Sequence, residues 1–505
     1  MKIKNYIKIT ILMLFLSIFL GSCKDSFLDI VPKKRLVAET TEDYDLLINN
    51  SGFYYSSTGG LQVPRWMGDE IAVDAHDITD NHLQAQLLFR WEDVIYSNPN
   101  NIVWDLSRGL GSIYTYNKII NEVMDSKEGT EAEKKSILAE AKASRAFEHF
   151  MFINFYAKPY VASTASTDPG FPIITSTDVT ANNFTRASVQ EVYDFIIEEL
   201  TTAIDDLPLE RPYYTRMTKP AARGLLGKVY MFMGKFDEAL PLLNAAFTDL
   251  ATSTNPPHLY DYNVEFADGG SFLPIDYTYN TGPRGPGNER YDFTESILAR
   301  IYYSGIYDGN SAGRNGLVLS PEAAALYDTA DFRLNFYDDT YEGYTGYYNN
   351  GMNPNGLLRK FGIQYTRYGL ELSELYLLRA ECKARKDDLT GAVADVEALR
   401  AKRMSANVAV PVDIKSDKIK LIKFIFEERI REWATEGYRW FDMRRLSVDP
   451  NAELAATVGD IHKIYDYVDG STVVTETFTL DMPDRLTLRI PQSYIDENPG
   501  MEQNP

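Results

Sequence analysis

The stretch Lys415–Leu446, KSDKIKLIKFIFEERIREWATEGYRWFDMRRL, decides the fold class. Apolar residues recur at Ile419, Ile422, Phe426, Ile430 and Trp433. Steps of three and four place them on one side of a helix. Charged residues fill the other positions. Glu427 stands one turn ahead of Arg431, the order that adds to helix stability. Gly437 predicts a stop, because glycine accepts the left-handed conformation just past a helix end. An aromatic–basic run, Tyr438 to Arg445, follows at once. The spacing predicts a long buried helix, a turn and a short packed segment.

The same period recurs upstream. Residues 40–50 read as a short helix opened by Thr41, and residues 101–124 as another helix. Residues 131–156 form a long one with Ala139, Ala143, Ala146 and Phe150 on one stripe. Small residues there let a neighbouring helix approach closely. Residues 188–207 form an amphipathic helix capped by Ser188 and closed before Pro208. In residues 219–247, Leu226, Gly227 and Tyr230 precede a turn at Gly234–Phe236, and Ala239, Leu243 and Ala246 follow it. These offsets match the 34-residue tetratricopeptide helix–turn–helix unit. A poorer match spans residues 373–403, through Ala380, Asp387, Leu389, Ala392 and Leu399. The two units are too far apart to be a tandem array.

Residues 251–370 change character. Within residues 260–348 lie 14 of the 34 tyrosines, over twice the average density, together with many glycines. Helical periodicity is absent, so this insertion reads as a loop-rich region, and loops on a rigid scaffold are where binding residues concentrate. The expected fold is all-α: a tetratricopeptide-like helix-pair scaffold carrying a large, aromatic-rich insertion. The expected division is residues 1–22, 23–250, 251–370 and 371–505, the last three forming one body.

Composition narrows the function. The 505 residues are 44% hydrophobic and 24% charged, an ordinary globular balance, and the net charge is −21. Such a surface repels phosphate backbones, which argues against nucleic acid. Lys2, Lys4 and Lys8 precede an apolar run, residues 9–20, and then Gly21, Ser22 and Cys23. A basic start, a short apolar run and small residues before a cleavage point make a signal peptide, here residues 1–22. Leu20-Gly21-Ser22-Cys23 looks like a bacterial lipobox, with Cys23 as the lipidated residue. Several acyl chains on one cysteine anchor a protein without a spanning helix. Cys382 then has no partner and reads as a small buried residue.

Catalytic patterns are lacking. No GxSxG elbow, HExxH pair or phosphate loop with Lys-Ser/Thr occurs, and His numbers five. Asp74, His76, Asp77, Asp80 and His82, and likewise residues 308–316, lack the ligand spacing of an EF-hand loop. They read as solvated loops, with no metal and no cofactor expected. The expected ligand contacts are loop aromatics, because tyrosine and tryptophan offer an apolar face and a polar edge. They are Trp66, Trp91, Tyr277, Tyr279, Tyr341, Tyr344 and Tyr347, with Arg90 beside Trp91.

Four stretches carry a family resemblance. Residues 428–446 with Glu427, EERIREWATEGYRWFDMRRL, resemble the C-terminal hallmark of the SusD/RagB outer-membrane lipoproteins. Residues 139–160, AEAKASRAFEHFMFINFYAKPY, resemble a second hallmark. KDSFLDIVP after Cys23 is similar to the family's N-terminal tether, with Asp25 and Asp29 near the lipid. LTLRIPQSYIDENPGMEQNP at the end is similar to its closing motif. The hallmark marks membership, and Glu428, Arg429, Trp433 and Arg439 read as scaffold. The resemblance implies a non-enzymatic, cell-surface protein of the outer membrane. It would capture an oligosaccharide and pass it to a SusC-like TonB-dependent β-barrel. Peptide cargo is the alternative within the family. A helical-repeat adaptor that binds proteins, and more remotely an extracellular glycosidase, are the alternatives outside it.

Overall fold

The computed structural model describes residues 38–56, 62–75, 83–98, 103–275, 283–303, 317–339, 356–361 and 364–505. Its central helix is Glu131–Tyr156. Thr130 and Glu133 close a reciprocal capping box at its start, satisfying two otherwise orphaned amides. The alanine stripe is buried as expected, with Ala143 and Ala146 fully so. Helices Trp104–Glu122 and Val189–Ala203 pack on its two sides. Helix Thr41–Ile48 adds a further layer; its cap is Thr40, and Thr41 lies inside.

Both helix–turn–helix units form. Helices Lys219–Phe232 and Phe236–Thr252 turn at Gly234, whose φ of 70° suits glycine. Gly227 lies under Leu243: a Cβ there would stand 2.7 Å from Leu243 Cδ2. The second pair is Leu372–Arg385 and Leu389–Arg400. Its first helix packs on the first pair, so two units far apart in sequence share one layer. Cys382 is buried there, its Sγ donating to the Phe236 carbonyl at 3.3 Å.

Helix Lys418–Trp433 lies across the Leu372–Arg385 helix and is followed by a second helix, Tyr438–Ser447. Gly437 does not act where the sequence placed it. The first helix ends at Trp433, Thr435 takes φ 66°, and Gly437, at φ 94°, is the N-cap of the second helix. Among the described residues no helix is long and apolar enough to cross a membrane.

The expectation of an all-α fold is corrected: helices dominate, but small sheets join the parts. In one sheet the order is Ser471–Thr479, Ile461–Val468, Ile71–Asp74, Leu317–Leu319. Its hairpin turns at Asp469-Gly470 with φ 52° and 82°, both positive as a type I′ turn requires. Ser296–Leu298 pairs with Leu370–Glu371, and Tyr337–Asp338 with Arg359–Lys360. A fourth sheet holds Tyr55–Ser56, Ile301–Tyr303 and Tyr365–Arg367. The insertion thus has strands of its own. Ile297, Leu298, Tyr302, Leu317 and Leu370 belong to the same hydrophobic cluster as the helices.

Candidate functional site

The hallmark charges are structural. Glu428 accepts from Arg333 at 2.7 Å, Arg400 at 2.8 Å and Arg431 at 2.9 Å. Burial alone would push its carboxyl up, but the three guanidiniums hold it well below the carboxylate range. Arg429 donates to Asp442 at 2.6 Å, and Arg439 grips Asp69 through two bonds of 2.6 and 2.8 Å. Trp433 stacks on Tyr438 at 4.7 Å. All four hallmark residues are buried.

Trp66 and Trp91 are corrected from exposed loop aromatics to core residues, only 2% and 3% exposed. Trp91 Nε1 donates to the Met67 carbonyl at 3.1 Å, and the ring stacks on His462 at 3.6 Å. Phe89 covers the other side of that imidazole at 4.4 Å. Burial pushes His462 down to about 4, so the ring is neutral at pH 7. Arg90 is half-buried over Phe478, 5.3 Å from the ring, and 3.8 Å from Glu476. Tyr277, Tyr279, Tyr341, Tyr344, Tyr347 and Cys23 lie outside the described residues, as do His76, Asp77, Asp80 and His82.

The described residues gather a different set of aromatics at the three-stranded sheet. Side chains alternate along a strand. Tyr302 therefore points into the core, fully buried, while Tyr303 is half-buried opposite Tyr365. The Tyr303 and Tyr365 rings are 5.8 Å apart, and the Tyr55 ring lies 6.2 Å from that of Tyr365. Arg290 lays its guanidinium 3.6 Å from the Tyr55 ring centre and 5.2 Å from that of Tyr291. Tyr291 is 66% exposed. Arg290 Nε is buried with no hydrogen-bond partner. Arg108 fixes the sheet edge, donating to the Gly52 and Tyr55 carbonyls at 2.6 and 2.7 Å. Burial raises the Tyr55 phenol, so it stays neutral and can both donate and accept. Flat rings, phenol hydroxyls and one planar cation make a surface suited to a ligand with apolar faces and many hydroxyls.

Residues 26–231 match a family model described as starch-binding and associating with the outer membrane. Residues 338–505 match the SusD family model. Between them the two models take in most of the chain. The chain belongs to the SusD/RagB family. A SusD-like protein of Formosa agariphila is 24% identical, over 88% of this chain and 92% of its own. The SusD fold is also seen in solved structures. A SusD superfamily protein of Bacteroides thetaiotaomicron superposes with a TM-score of 0.66 at 20% identity, over 92% of this chain and all of that one. A SusD-like carbohydrate-binding protein of Bacteroides vulgatus gives 0.60 at 17% identity, over 92% and 97%. Within this SusD/RagB chain the missed residues, Tyr55, Tyr291, Tyr303, Tyr365 and Arg290, had a faint sequence signal. Tyr302-Tyr303 sits in the short, mostly apolar run Ile297–Tyr303, broken only by Arg300, where period-two alternation puts one ring in and one out.

Proposed function

We propose that this SusD/RagB protein captures oligosaccharides at the cell surface and delivers them to a SusC-like TonB-dependent β-barrel transporter. The carrying observation is the Tyr55–Tyr303–Tyr365 surface with Arg290 and Tyr291 beside it. The sugar-binding descriptions of family members support the reading. Tyr277, Tyr279, Tyr341, Tyr344 and Tyr347 stay in the proposal as ligand contacts on chemical grounds. No bond need break. Burial raises three carboxyls, Glu70 and Glu148 to about 7 and Glu371 to about 8; Glu70 and Glu371 are only 2% and 5% exposed, while Glu148 is half-buried. The helix pairs would serve as a tetratricopeptide-like scaffold, and release would follow from different contacts in open and closed complexes.

Affinity electrophoresis through gels containing single polysaccharides tests the site. Arg290→Ala with Tyr291→Ala should weaken retardation at least tenfold, about 1.4 kcal/mol, with an unchanged melting temperature. Unchanged retardation discards the site. Sugar release lost on changing one carboxylate would instead make the protein a glycosidase. Lipid anchoring at Cys23 is part of the proposal. Cys23→Ala should move the protein from the membrane to the soluble fraction, and unaltered fractionation would remove the anchor.

A further inference from the structure

A separate cleft of about 390 Å3 lies between residues 209–220 and residues 253–257, beyond the end of the Phe236–Thr252 helix. Its walls are rings: Pro212, Tyr213, Tyr214, Pro220, Pro256 and Pro257. Tyr213 is 62% exposed, so its ring face is open to a ligand. The frame around it is tied down. The Tyr214 carbonyl accepts from the Ala299 amide at 2.7 Å, and its hydroxyl donates to the Asn255 carbonyl at 2.5 Å. Arg211 is held by the Met217 carbonyl at 3.2 Å, Ser136 Oγ at 3.1 Å and Glu140 at 2.9 Å. At the rim the Glu210 carboxylate accepts from both the amide and the hydroxyl of Thr254 at 2.9 Å. The Thr254 hydroxyl first, and its amide second, hold Glu210 below its ordinary range, so the carboxylate is ionised and oriented.

We propose that this cleft is a second saccharide site, taking one neutral sugar ring against Tyr213 with its hydroxyls donating to Glu210. Ring C–H faces pack on tyrosine and proline, which have no backbone donor to leave unpaired on the proline side. A carboxylate has about four acceptor positions. Thr254 fills only some of them, and neighbouring sugar hydroxyls fit the rest. The ionised Glu210 selects against anionic sugars. Ile297 lines this cleft and Tyr303 belongs to the tyrosine surface. The two stand in different sheets, and none of Tyr55, Arg290, Tyr291, Tyr303 and Tyr365 lines the cleft, so the two places are distinct. The proposal rests on the saccharide reading for its ligand class.

The test uses the mature chain labelled with 3-fluorotyrosine, titrated with methyl glycosides of glucose, galactose, mannose and xylose. Tyr213→Phe and Tyr291→Phe assign the two fluorine signals. At least one glycoside should move the Tyr213 signal saturably, and Glu210→Gln should weaken that response several-fold while leaving Tyr291 unaffected. A Tyr213 signal that stays fixed while Tyr291 moves overturns the second site and leaves the first. A Tyr213 signal that moves while Tyr291 stays fixed upholds the cleft and discards the tyrosine surface. If neither moves, both fall.

Discussion

Glu371 and Glu428 are both buried, yet their environments drive them apart. Glu371 is pushed up to about 8 by burial, against the opposing charge of Arg367, and accepts from Ser296 Oγ at 2.8 and 3.0 Å. The folded protein therefore keeps this proton while the unfolded chain, with an ordinary value of 4.5, gives it up. Its contribution to stability is whole below pH 4.5 and is lost as pH rises towards 8, by up to about 1.4 kcal/mol per pH unit. Glu371→Gln mimics the protonated form and keeps the acceptor for Ser296. Its stability relative to wild type should climb between pH 4.5 and 8 in urea denaturation; a pH-independent difference would refute the assignment. Glu428→Gln should behave in the opposite way. It leaves Arg333, Arg400 and Arg431 buried beside a neutral amide. A loss of about 3–5 kcal/mol at pH 7 is expected, visible as a lower melting temperature.

Two glycines of one helix pair test how the elements are joined. Gly227 is small because Leu243 of the facing helix crosses over it, while Gly234 has open space around it and is glycine for its φ of 70°. Gly227→Val should cost about 1–3 kcal/mol through overpacking. Gly234→Asn, which tolerates the left-handed region, should stay within about 1 kcal/mol of wild type. Equal costs in denaturant titrations would deny the difference. This pair was legible in the sequence because everything that specifies it is local: caps, period and turn. The sheets were less legible. Their strands are two to four residues long outside the one hairpin, and Ile71 pairs with Leu319 across about half of the chain. The hairpin itself has a local signal, Asp469-Gly470 between two β-rich runs. Trp66 and Trp91 failed differently. Standing outside the α-helices says nothing of burial, and the cover of Trp91, His462 in the Ile461–Val468 strand, comes from the far end of the chain.

At the scale of the molecule, charge and site pull on the cargo in different ways. The whole chain carries −21, while at the tyrosine surface the planar cation of Arg290 lies against Tyr55 and Tyr291. A polyanionic glycan would meet net repulsion at long range and one attractive contact at short range. A neutral glycan would feel neither strongly and would depend on ring stacking and hydroxyl bonding. Screening separates the cases, because the Debye length falls from about 10 Å at 0.1 M salt to about 3 Å at 1 M. For a retained neutral polysaccharide, affinity should change less than about twofold across that range, stacking being insensitive to screening. Arg290→Lys keeps the charge but loses the flat face that lies on Tyr55. It should lower affinity by several-fold, about 0.5–1 kcal/mol, the worth of an exposed cation–π contact. A lysine variant that binds as well as wild type, with affinity falling steeply in salt, would mean that Arg290 acts as a point charge on an anionic ligand and that stacking on the tyrosines is not what holds the cargo.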